Sequence, residues 1–72
     1  MVSAFMKGLE LVRLAESRGW VNAGPGANHP YILKKAACRP VPVRDKIPNR
    51  FEAEAILKQL GIPRREWPEK LR

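Results

Sequence analysis

The 72 residues leave room for one domain, 1–72, whose single core buries only about 60–65% of the unfolded surface, so a stabilising partner or homo-oligomer stays open. Fourteen Lys and Arg against seven Asp and Glu give a formal charge of +7 and point to an acidic partner: nucleic acid, an anionic membrane or an acidic protein. A hydrophobic share of 44% argues against a disordered basic tail, and a lone cysteine, Cys38, excludes a disulfide scaffold.

Residues 3–18 are expected to form a helix. Ser3 is the N-cap, and Gly8, Leu11, Val12 and Ala15 fall on one stripe at i, i+3, i+4 and i+7, flanked by Phe5 and Leu9. Gly8 on that stripe costs about 1 kcal/mol relative to Ala, which close packing against a sheet would explain. Gly19 ends the helix, and Trp20–Ala23 gives a short first strand. The run Gly24-Pro25-Gly26-Ala27-Asn28 then breaks any ladder.

Tyr31–Lys35 is the strongest strand, with Tyr31, Ile32 and Leu33 at its centre. In Arg39–Val43, Pro40 and Pro42 both lack an N–H, and residues two apart point their amides to the same side. This pattern fits an outer strand with its proline side toward solvent. Asn49 and Glu52 stand at capping-box spacing, followed by an apolar stripe of Ala53, Ile56, Leu57 and Leu60. Gly61 and Pro63 stop that helix, and Pro63–Trp67 makes a further turn that folds Ile62 and Trp67 back over its end. The fold class is therefore α+β, in the order α-β-β-β-α: two helices against a three-stranded antiparallel sheet.

Among chemically active side chains, His29 stands out as the only imidazole, next to a glycine-rich loop. Imidazole is the side chain that changes charge nearest neutrality. On residue chemistry alone the plainer reading is an imidazole that merely begins a strand, restrained by Pro30. One Cys, one His and one Asp do not make a structural zinc site, so no metal or other cofactor is expected. The Gly24–Asn28 loop lacks the Gly-Lys-Ser/Thr of a P-loop and reads as a turn. Trp20 and Trp67 read as packing residues, and Cys38 as a small apolar filler. No apolar run approaches the ~20 residues that span a bilayer, and the start lacks the basic segment and cleavage site of a signal peptide. No membrane partner is expected, and the cytoplasm is the expected compartment.

Gly19-Trp20, His29 ten residues after the glycine, Val41-Pro42-Val43, and the run Ala55–Ile62 with Trp67 beyond it resemble the HicA family. These are small toxins of bacterial and archaeal toxin–antitoxin pairs, and the resemblance spans roughly residues 8 to 67. It implies a fold like that of double-stranded-RNA-binding domains, α-β-β-β-α. It also implies cleavage of mRNA by a histidine at the start of the second strand, His29 by motif position, and inhibition by a HicB antitoxin. The family usually has Gly-Ser-His where this chain has Ala27-Asn28-His29, and many members carry His where Arg44 stands.

Metal-independent cleavage of RNA needs a base for the 2′-OH proton, an acid for the leaving 5′-oxygen, and cations to balance the developing charge. His29 fills one proton-transfer role. Lys34, Lys35, Arg39 and Arg44, on or beside the two strands after His29, are the expected phosphate contacts, with Tyr31 as a further RNA contact. Two other functions stay open: a catalytically silent RNA-binding module on the same fold, and a basic interaction domain that docks an acidic partner.

Overall fold

The structure, a computed structural model, describes residues 4–26 and 28–72. Two helices and a three-stranded antiparallel sheet follow the expected α-β-β-β-α order. A second, two-stranded ladder lies outside that scheme.

The first element is that ladder's strand, β1 (Met6–Lys7), and the helix α1 runs only over Gly8–Glu16. The expected start near Ser3 is corrected by five residues, and Ser3 itself lies outside the described residues. Phe5–Lys7 is extended because β1 pairs antiparallel with β5 (Lys46–Ile47), in the register Met6 to Ile47 and Lys7 to Lys46. The Phe5 N–H donates to the Ile47 carbonyl at 2.8 Å. Lys7 caps α1 in an extended conformation, and the Glu10 carboxylate accepts from its backbone N–H at 3.1 Å. The helical stripe is as expected: Gly8, Leu11, Val12 and Ala15 are buried.

Gly8 has a specific reason to lack a side chain. A Cβ there would stand 1.7 Å from the Arg44 carbonyl oxygen, and the Gly8 N–H donates to the Asp45 carbonyl at 2.7 Å. The N-terminus of α1 is therefore seated on the backbone of Arg44 and Asp45. Gly19, with φ +92°, takes the left-handed turn that ends α1.

The three-stranded sheet has the order β2 (Val21–Asn22), β3 (Tyr31–Lys34), β4 (Val41–Val43). Val21 pairs with Lys34 and Asn22 with Leu33; Tyr31 pairs with Val43, Ile32 with Pro42 and Leu33 with Val41. Alternation puts Leu33, Val41 and Val43 on the helix-covered face, all buried, and leaves Lys34 and Pro42 exposed on the other. The Ile32 N–H donates to Gly24 and its carbonyl accepts from Ala23, so both groups point toward β2. Pro42, opposite Ile32, consequently turns its missing donor away from β3, as expected of a proline-blunted edge strand.

Helix α2 spans Arg50–Gln59. The Asn49 Oδ1 accepts from the Glu52 N–H at 2.9 Å, a cap that contributes about 1 kcal/mol. Ala53, Ile56, Leu57 and Leu60 are buried against the sheet, and Gly61 turns left-handed at φ +71°. A 3₁₀ turn over Arg64–Glu66 then folds the chain back, and the Trp67 indole N–H donates to the Ile62 carbonyl at 2.8 Å. A last 3₁₀ turn, Glu69–Leu71, brings Leu71 into the core. No helix among the described residues is long and apolar enough to cross a membrane.

Candidate functional site

His29 is half-buried at the end of the loop that feeds β3, two residues before Tyr31. The loop is held by backbone bonds: the Gly26 N–H donates to the His29 carbonyl at 2.8 Å, and the Ile32 N–H to the Gly24 carbonyl at 3.1 Å. The Asn22 Oδ1 closes its near side by accepting from the Gly24 N–H at 3.0 Å. A Cβ on Gly26 would approach Ile32 Cδ1 to 2.8 Å, so the loop folds back closely over β3. Ala27 of this loop lies outside the described residues.

The register shows which side chains share the His29 end of the sheet. Tyr31 pairs with Val43, so Arg44 and Asp45 follow at that end. Gly8 sits on their backbone, and Arg44 Nε meets the Glu52 carboxylate at 3.0 Å. The N-termini of both α1 and α2 are thereby gathered there, and their partial positive charges favour an anion nearby. Arg44 is the one expected phosphate contact at this end. Its side chain remains 59% exposed despite the ion pair. The sequence pattern did not single out Lys7, Lys46, Arg50 or Phe51, which the fold brings to the same end.

Lys34, Lys35 and Arg39 lie elsewhere. Lys34 is five residues along the chain from His29, about 17 Å at the rise of a strand, and the Lys35–Cys38 turn carries Arg39 back along the same far edge. Antiparallel pairing therefore keeps Arg44 at the His29 end and sends the other three expected phosphate contacts to the opposite one. Lys35 is partly committed, its Nζ donating to the Arg18 carbonyl at 3.1 Å and standing 5.9 Å over the Trp20 ring. Lys34 and Lys35, with Gly19, Val21, Ala36, Cys38 and Pro40, line an open depression of about 500 Å³. Arg39 and Pro40 border a second one of about 540 Å³ with Val41 and Gln59.

Tyr31, the remaining expected contact, is half-buried and packs against the core. Trp20 and Trp67 are core residues, as their spacing suggested. The indole N–H of Trp20 has no hydrogen-bond partner among the described residues, and neither does the buried Oε2 of Glu52. Phe51, by contrast, is 77% exposed on the first turn of α2. Compared with known proteins, the chain matches no family model, no curated protein and no solved structure.

Proposed function

We propose that this chain is a HicA-like endoribonuclease that cleaves mRNA in the cytoplasm and is held inactive by a HicB-like antitoxin. The observation that carries the proposal is the position of His29, half-exposed at the entry to the middle strand of an α-β-β-β-α domain with net charge +7. That arrangement agrees with the place of the histidine in the family the sequence resembles.

In the proposed reaction the ribose 2′-oxygen attacks the adjacent phosphorus. A 2′-O–P bond forms, the P–O5′ bond breaks, and the strand ends in a 2′,3′-cyclic phosphate and a 5′-hydroxyl. His29 either takes the 2′-OH proton or delivers one to the departing 5′-oxygen, and a lysine or water serves the other oxygen. Arg44 and the two helix N-termini oppose the charge that builds on the phosphorus oxygens. Lys34, Lys35 and Arg39 bind phosphates farther along the strand.

A second function, an RNA-binding module without catalysis, draws on Lys34, Lys35 and Arg39, which have no ion pair among the described residues and stand away from His29. One experiment separates the two. RNA is incubated with purified protein in a chelator, and the product ends are identified for the parent and for His29→Ala. Cyclic phosphate ends from the parent and none from His29→Ala support the nuclease. RNA bound equally by both proteins without cleavage supports the binding module. Products ending in 3′-hydroxyl contradict the proposed chemistry.

A further inference from the structure

Lys7 and Lys46 stand directly opposite each other in the β1–β5 ladder, both exposed, on the face turned away from buried Met6 and Ile47. Like charges so placed repel. The Gly8 N–H donates to the Asp45 carbonyl and the Lys7 N–H to Glu10 Oε2. The lysines therefore form a non-hydrogen-bonded pair, the kind in which side chains stand closest. Lys7 is also the N-cap of α1, a position that favours a side-chain acceptor and, at the positive end of the helix, disfavours a cation. Arg44, Arg50 and Lys70 at this end each meet a carboxylate, whereas Lys7 and Lys46 meet none among the described residues. Of the nearby carboxylates, Glu10 is held by the Lys7 backbone N–H and by Lys70 Nζ at 3.8 Å. Asp45 precedes Lys46, and alternation along an extended chain sends its side chain to the other face.

A ladder of two residue pairs has little pairing energy with which to offset such repulsion, and local rules broken without a structural gain mark functional positions. We propose that Lys7 and Lys46 form an anion site that grips a backbone phosphate of RNA. The inference rests on the previous section's reading that the ligand is RNA; it does not require cleavage. A phosphate between the two ammonium groups would replace their repulsion with two charge-assisted contacts and would place an anion at the α1 N-terminus. Lys46 lies three residues beyond Val43, the partner of Tyr31, so the phosphate is held at the end of the sheet where His29 enters. A phosphodiester suits this pair better than a protein carboxylate does. Its tetrahedral oxygens can be approached from different sides by two separate point charges, whereas carboxylate recognition favours the planar fork of arginine. The arginines of this end are already engaged with Glu52 and Glu54.

Such a site makes stability and binding move in opposite directions. The full chain carrying His29→Ala, so that RNA survives, is compared with the same chain carrying in addition Lys7→Gln, Lys46→Gln, Lys46→Glu or Lys58→Gln. Tm is recorded in phosphate-free buffer, and affinity for a labelled uridylate of about 12 nucleotides by fluorescence anisotropy. Lys46→Glu turns the repulsive pair into an attractive one, so Tm should rise by a few degrees while RNA affinity falls by about ten-fold. Lys7→Gln and Lys46→Gln should each weaken binding several-fold and reduce the slope of log affinity against log salt by about 0.7, the value for one phosphate on a single strand. Lys58→Gln removes the same charge from the last turn of α2 and should change affinity by less than about two-fold.

Loss of Tm and affinity together in Lys46→Glu would make the lysine structural and overturn the site. Equal effects of Lys58→Gln and Lys46→Gln would also overturn it, because net charge alone would then explain the binding. Hexaglutamate that displaces the labelled uridylate at lower concentration than unlabelled uridylate would assign the pair to an acidic protein instead. Opposed shifts of Tm and affinity, with no cleavage by the chain that retains His29, would keep the phosphate site and discard the nuclease. Cleavage by that chain, with affinity unchanged in the Lys46 variants, would keep the nuclease and discard the site.

Discussion

Where β3 begins, Arg44, Arg50 and Lys70 each meet a carboxylate, on Glu52, Glu54 and Glu10 respectively. Where β3 ends, Lys34, Lys35 and Arg39 have no ion pair among the described residues, and only Arg18 nearby is paired, with Glu66 at 2.6 Å. The His29 end is thus close to charge-balanced, and much of the chain's +7 lies at the other. Exposed ion pairs add at most about 1 kcal/mol each, so their main consequence here is to moderate the field around His29 and not to hold the fold. Under the proposed function, attraction and chemistry would fall at different ends of one sheet. Lys34, Lys35 and Arg39 would supply the long-range pull on a polyanion, and His29 the short-range proton transfer.

Four substitutions probe that division, beginning with the largest effect. His29→Ala should lower the cleavage rate by about 10²–10⁴, the usual contribution of a general acid or base, while leaving the far end's hold on RNA in place. Single-turnover cleavage at saturating protein measures it. Gly8→Ala should destabilise by about 3 kcal/mol or more, because the new Cβ would meet the Arg44 carbonyl and unseat α1 from the His29 end. A fall in Tm of about 12 °C or more would follow for a domain of this size.

At the other end, Ala37 holds a left-handed φ of +64° in the β3–β4 turn. Ala37→Gly should relieve that strain and raise stability by about 0.5–1 kcal/mol after the glycine's added chain entropy is counted. Denaturant unfolding would register it. Phe51→Ser should change stability by less than about 0.5 kcal/mol, since the ring contributes little to the core. A large loss there would show that the His29 end depends on this ring for packing.

The elements that the sequence made legible are those whose signal is local. Asn49 caps α2 through its own side chain, the stripe from Ala53 to Leu60 repeats at helical spacing, and Gly61 and Pro63 stop it within a few residues. Pro40 and Pro42 marked an edge strand because a missing N–H is a property of the residue itself. The β1–β5 ladder was not legible, since two two-residue strands forty residues apart carry no periodicity and exist only through their pairing. The same limit explains the displaced start of α1: Phe5–Lys7 have helical spacing with Leu9 and Leu11, but hydrogen bonds to Ile47 claim them for a strand.

Within the candidate site, His29 was visible as the only imidazole, and Arg44 by its place just after Val41-Pro42-Val43. The separation of Lys34, Lys35 and Arg39 from His29 was not visible, because closeness in sequence suggests a cluster and only the antiparallel register shows that β3 carries them apart. Asp45 stands out in the sequence as the only aspartate. Its backbone role beneath Gly8, however, is a tertiary contact without a sequence signature.

The division of labour between the two ends is tested most directly by measuring cleavage of one long RNA against protein concentration, for the parent, His29→Ala and the double variant Lys34→Gln/Lys35→Gln. The account predicts that His29→Ala lowers the plateau rate, and that the double variant reaches the parental plateau only at several-fold higher concentration. If the lysine substitutions lowered the plateau while His29→Ala left it intact, the chemistry would belong to the opposite end, and the assignment of His29 would be wrong.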